Sequence, residues 1–205
     1  MTKKDFDQYI TTHRAELERI REYAHRLHAS VNQFYDSNRP YSYHLDMVAQ
    51  GVFDYGHEVC QTGSDILPLF FGAWFHDSIE DARQTYNDTR KTAHHLGLND
   101  TQAFLAAEIV YALTNDKGRT RSERAGERYY AGIRETPYAP FVKLCDRLAN
   151  MTYSFSHSDE SNSGMRGVYA KELPHFLAAI DVQSDDPRLS LPASIIERLH
   201  ALCRE

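Results

Sequence analysis

Ile66 to Phe75 reads Ile-Leu-Pro-Leu-Phe-Phe-Gly-Ala-Trp-Phe, with no charged side chain, and stops at His76-Asp77-Ser78-Ile79-Glu80-Asp81. A helix that is apolar on most sides has to be enclosed by other elements, so this run predicts a central, buried helix started by Gly63-Ser64-Asp65. It reaches about half of the roughly 18–20 residues a bilayer span needs, and it ends in a block of ionisable groups. The chain around it must therefore supply enough amphipathic surface to bury it.

That surface has helical periodicity. Phe6, Ile10, His13, Leu17, Ile20, Ala24, Leu27, Val31 and Phe34 recur at three and four residues, which predicts one long amphipathic helix. Asp36 to Pro40 reads as a turn, after which Leu45, Val48, Ala49, Val52 and Phe53 mark a second apolar face. Further helices are expected over about Asp88–His95, ended by Gly97, and Thr101–Leu113, with Asn99 or Asp100 as cap. Asn115 to Gly118 is a turn signal, and Arg121–Glu135, Tyr138–Phe155, Gly167–Ile180 and Ser190–Leu202 complete the set. Ser154 to Gly164 is the most loop-like stretch. No β alternation or internal repeat is apparent. The fold class expected is an all-α bundle of roughly eight to ten helices, one domain spanning residues 1–205.

Composition limits the partners. A net charge of −6 offers no general basic field for nucleic acid, and favours a small-molecule or protein partner. The N-terminal residues lack the apolar core of a signal peptide, and the three cysteines are odd in number, far apart and without a CxxC pair. Reduced thiols in a cytoplasmic, membrane-free protein are the expectation.

His76 and Asp77 alone would mean little. A histidine at a buried helix end often satisfies a carbonyl, and an aspartate often pairs with arginine. Their neighbours change the reading: Glu80 lies four residues after His76, and Asp81 four after Asp77, so on a helix these groups share one side. Three carboxylates on so short an arc repel one another unless a cation compensates, and a divalent metal does so naturally. His44, just after the Pro40 turn, and Asp146, on a helix whose apolar side carries Leu144, Leu148 and Met151, are the further ligands required. Two imidazoles and two carboxylates suit manganese, iron, zinc or nickel, with positions left for water and a phosphate oxygen.

The order His44, His76-Asp77, Asp146 resembles the HD superfamily of metal-dependent phosphohydrolases. Phe75 to Asp81 resembles the HDxxED motif of the RelA/SpoT hydrolase domain and the small alarmone hydrolases, and Lys143 to Met151 its KLADRLxNM segment. Arg39 to His44 is similar to its PYxxHP segment, and Leu113 to Lys117 to its T-x-D-K turn. The likeness runs from about Leu27 to Ile180, so the motif-bearing core of about 27–180 is flanked by terminal helices that read as packing or homo-oligomer surfaces. The resemblance implies that His44, His76, Asp77 and Asp146 hold one metal, usually manganese. It implies that Glu80 and Asp81 orient and deprotonate the attacking water, and that Asn150 and Lys117 contact substrate. The implied reaction is hydrolysis of the 3′-pyrophosphate of (p)ppGpp.

The chain departs from the family pattern in places. The segment Ser30 to Asp36 has no arginine or lysine where the family carries a basic run for guanosine; Leu45 replaces a proline and Cys145 an alanine. Phe34 and Tyr35 can stack on a base or serve as core. An HD phosphatase acting on another nucleotide or NADPH, or a non-catalytic, antitoxin-like nucleotide-binding module, therefore remain open. His94 and His95 sit where dinuclear HD enzymes place extra ligands, although histidine beside Gly97 also suits a helix end. His28 has no partner pattern.

Overall fold

The computed structural model describes residues 1–36, 38–115, 120–156 and 160–204. Among them, eleven α-helical segments form: α1 (Lys3–Thr12), α2 (Arg14–Ser30), α3 (Ser42–Val59), α4 (Ile66–Phe75), α5 (Tyr86–His95), α6 (Asp100–Leu113), α7 (Arg121–Arg124), α8 (Glu127–Glu135), α9 (Ala139–Ser156), α10 (Glu160–Ile180) and α11 (Ala193–Leu202). The all-α bundle expected from periodicity is what forms. Among the described residues no helix is long and apolar enough to cross a membrane.

Every residue of α4 is buried, and α2, α3, α6 and α9 pack around it. Its entry is set by Thr62 and Asp65, each side chain accepting from the other's backbone N–H in a capping box. The same device opens α5 through Thr85 and Asp88, and α6 through Asn99 and Gln102; Asn99 is the cap, and Asp100 is already inside the helix. Gly97, with φ of +101°, closes the segment after α5 in a conformation that L side chains avoid. Buried apolar side chains from Phe6 to Leu202 make one connected cluster.

Three local expectations change. The N-terminal helix breaks at His13, whose φ and ψ are −105° and 24°; the break keeps the apolar spacing, so periodicity does not register it. α2 stops at Ser30, and Phe34–Tyr35 and Arg39–Pro40 pair as a small antiparallel hairpin, β1 and β2. Two-residue strands are too short to display alternation. The Ser154–Gly164 stretch is helical on both sides, closing α9 and opening α10, with residues 157–159 outside those described.

The approach of α3 to α9 is what brings the site together, and Gly51 permits it. A Cβ at Gly51 would lie 2.9 Å from Cys145 Sγ and 3.0 Å from its Cβ. Gly51 is two turns beyond His44 on α3, and Cys145 immediately precedes Asp146 on α9. Gly51→Leu is expected to wedge the helices apart at a cost of about 1–3 kcal/mol in chemical denaturation. Unchanged stability would show that the helix spacing is set elsewhere.

Candidate metal centre

His44 stands in the first turn of α3, where its backbone N–H donates to the Tyr41 carbonyl at 2.9 Å. His76 is the C-terminal cap of α4. Beyond it the chain does not continue as α-helix. Ser78 N–H donates to Phe75 O at 2.8 Å, and Asp81 N–H to Asp77 O at 2.8 Å, so 76–82 is a coiled succession of turns. The His76–Asp81 block is thus not a helix face, although the Asp77–Asp81 relation keeps helical spacing. Asp146 comes from the middle of α9.

These three segments meet. His44 Nε2 and His76 Nε2 lie 3.3 Å apart. Asp77 Oδ2 is 2.8 Å from His76 Nε2 and 3.9 Å from His44 Nε2. Asp146 Oδ1 is 3.3 Å from His44 Nε2 and 3.9 Å from His76 Nε2. Ligand atoms of His44, His76 and Asp77 all fall within 4.8 Å of one another, a grouping able to hold a metal ion; Asp146, the fourth expected ligand, approaches the two histidines but is not part of that grouping. Donors bonded at about 2.1 Å to one ion sit roughly 3 Å apart when adjacent and roughly 4 Å when opposite, which matches this spacing.

No family model and no curated protein matches this chain.

The donor chemistry fits a cation. His76 Nδ1 lies 2.8 Å from the Ala73 carbonyl, an acceptor only, so Nδ1 carries the proton and a neutral ring turns its Nε2 lone pair toward the cluster. There it meets a carboxylate and a second imidazole nitrogen, both able to accept. Something positive has to lie between them, either a proton or a metal, and a backbone carbonyl behind a ligating histidine is the usual support for the latter. In the metal-free chain the proton takes that role. Burial by itself lowers the His76 pKa, but the charge and hydrogen bond of Asp77, with the charge of Asp146, raise it to about 9. Burial pushes both carboxylates up. Asp77 is nevertheless held well below the usual range by His76, and Asp146 by Lys143 and His44.

The carboxylates are oriented from behind. Lys143 Nζ donates to Asp146 Oδ2 at 2.9 Å, and Asn150 Nδ2 donates to Oδ1 at 2.6 Å and to the Asp146 carbonyl at 3.0 Å. Asn150 Oδ1 accepts from the Tyr35 hydroxyl at 3.0 Å. Asn150, expected as a substrate contact, is engaged in holding Asp146. Tyr41 donates its hydroxyl to Asp77 Oδ2.

Glu80 and Asp81 part company. Asp81 is half-buried, takes a hydrogen bond from Gln33 Nε2, and its pKa is raised by burial and by the charge of Asp77. Glu80 is exposed and bound by Asn115, whose Nδ2 lies 2.9 and 3.1 Å from its two oxygens. Lys117 lies outside the described residues. His94 bonds to Leu98 O and faces Asp100, while His95 packs edge-on to Tyr23, so among the described residues neither joins the cluster.

Sequence reading missed Gln33, Tyr41 and His28. Gln33 links two elements, its Oε1 accepting from His28 Nδ1 at 2.6 Å while its amide holds Asp81. The His28 ring lies flat on Tyr41, with centroids 5.0 Å apart, and burial lowers its pKa. Tyr41 was within reach as part of the Arg39–His44 motif. Gln33 had only its place in the segment lacking basic residues as a signal. Tyr35 neither joins the apolar core nor stands free: its ring stacks on His44 at 4.9 Å and meets Tyr153 edge-on, while Phe34 is exposed.

Proposed function

We propose that this chain is a metal-dependent phosphohydrolase of the HD type, acting on a phosphorylated nucleotide, with the 3′-pyrophosphate of (p)ppGpp as the first candidate bond. One observation carries the reading: His44 Nε2, His76 Nε2 and an Asp77 oxygen, from segments more than thirty residues apart, fall within 4.8 Å of one another, with Asp146 Oδ1 3.3 Å from His44 Nε2, a cluster of acceptors that a cation would satisfy. His44, His76, Asp77 and Asp146 are the residues that would hold it, and manganese is the ion the family resemblance favours. A divalent ion bound there supplies Lewis acidity and lowers the pKa of bound water.

The chain's own groups supply the rest. Asp81, steadied by Gln33, takes the proton of the attacking water. Lys143 and Asn150 keep Asp146 turned inward, and Tyr41 does the same for Asp77. Water adds to phosphorus, the bond from phosphorus to the ribose 3′ oxygen breaks, and that oxygen takes up a proton. The products are pyrophosphate and GDP or GTP.

A second reading keeps the chemistry and changes the substrate to another nucleotide or NADPH. It is favoured by Ser30 to Asp36, which presents Gln33, Phe34 and Tyr35 and no arginine or lysine. Manganese-supplemented protein assayed against ppGpp, pppGpp, NADPH and common nucleotides separates the two. Pyrophosphate released from ppGpp or pppGpp is the expected result, and orthophosphate from another compound selects the second reading. Metal bound without turnover of any compound would leave only a nucleotide-binding module.

A further inference from the structure

A cavity of about 480 Å³ opens between α8, α9 and α10, and Lys143 forms part of its wall. The same ammonium that holds Asp146 Oδ2 at 2.9 Å therefore belongs to two compartments, the metal-ligand cluster and this cavity. A second residue joins them: Asn115, also in the wall, is the partner of Glu80. The cavity thus begins where the candidate centre ends.

Its charge is one-sided. Arg124, Lys143 and Arg147 line it, with His175 and the carboxylate of Glu172; Lys143 is paired with Asp146 and Arg147 with Glu172, which leaves the excess charge on the Arg124 side. Arg147 is fixed in place, with its guanidinium 4.3 Å from the Phe176 ring centroid, 4.9 Å from that of Tyr169, and 3.3 Å from Glu172. A planar guanidinium packed over two ring faces and paired with a carboxylate keeps its N–H fork in a restricted orientation, the preorganisation that recognition of a phosphoryl group requires. Arg124 is exposed at the rim and adds a second fork. The net charge of the chain is −6, so this concentration of cations runs against its general character. The hairpin side of the centre, by contrast, is closed by aromatic rings: Tyr35 on His44, and Tyr153 against Tyr35 and Tyr43.

We propose that the cavity between α8, α9 and α10 binds a phosphoryl group of the substrate beyond the scissile phosphorus. Its assignment as a substrate subsite rests on the phosphohydrolase reading; its capacity to bind a phosphoryl anion does not.

The test uses the full chain stripped of metal by a chelator and then freed of the chelator, with inorganic pyrophosphate as the probe in isothermal titration calorimetry. Removing metal keeps the ligand cluster from contributing, so a chain that failed to hold metal at all would still report on the cavity. Arg124→Gln, at an exposed position, is expected to weaken pyrophosphate binding about tenfold, the effect of losing one charge-assisted hydrogen-bonding partner. Arg39→Gln, on the hairpin side, is expected to leave it unchanged. Absence of pyrophosphate binding to the metal-free wild type, equal binding by Arg124→Gln, or an equal loss in Arg39→Gln would each overturn the proposal.

Discussion

Asp146→Asn is expected to take away stoichiometric metal and turnover together. The amide still accepts from Asn150 or Lys143, so the helix surface is kept, but one anionic oxygen facing both imidazoles is lost. Metal content by ICP-MS should fall to background in dialysed protein, and turnover by at least about a thousandfold, because the Lewis acid and the low-pKa water leave with the ion. Alanine is the poorer test. It strands the Lys143 ammonium, 19% exposed, without its carboxylate, and breaking such a pair costs about 3–5 kcal/mol, enough to confuse lost folding with lost binding. A metal-free Asp146→Asn protein with full activity would end the metal account.

The second large effect separates holding an ion from using it. Asp81→Asn should keep the metal and lose turnover by about 10²–10⁴, the range associated with removing a general base. Its hydrogen bond with Gln33 is retained in kind, so the variant isolates the proton-accepting role. Glu80→Ala is expected to keep metal as well, with a smaller loss, since that carboxylate is exposed and already bound by Asn115. Steady-state rates measured beside metal content give both numbers. A larger loss in Glu80→Ala than in Asp81→Asn would reverse the assignment of the two carboxylates, and normal turnover in both would place the base elsewhere.

Gln33 and His28 suggest why Asp81 fits the role. A carboxylate anchored by an amide, itself anchored by a buried histidine, loses less orientation than one free at the surface. Preorganised acceptors work because their reorientation is not left to the moment of reaction. The hairpin is therefore part of the centre, not a connector: Gln33 reaches Asp81, Tyr35 reaches Asn150, and Tyr41, just beyond it, reaches Asp77.

How much of this was legible beforehand differs from residue to residue. The buried α4 and the apolar faces of α2, α3 and α6 follow from side-chain period alone, since burial imposes a 3.6-residue repeat on every helix that touches the core. His44, His76, Asp77 and Asp146 stood out because ligand-type residues in that order form a pattern along the chain. The break at His13 and the turn conformation of 76–82 were not legible, because both preserve the spacing by which helix is recognised. Tyr35 carried two sequence readings, base stacking or core; the fold keeps it out of the apolar core and places its ring over an imidazole.

By itself the amino-acid order determined the helical class, the buried central segment and which ionisable side chains were available for chemistry, all being properties of local period and residue type. Tertiary structure alone decided that His44 and Asp146 reach the His76–Asp77 turn, that Asp81 and Glu80 receive different neighbours, and that three cations gather around one cavity. Those outcomes depend on the distance and angle at which helices cross, as at Gly51 against Cys145, and no one-dimensional pattern encodes how closely two backbones pack.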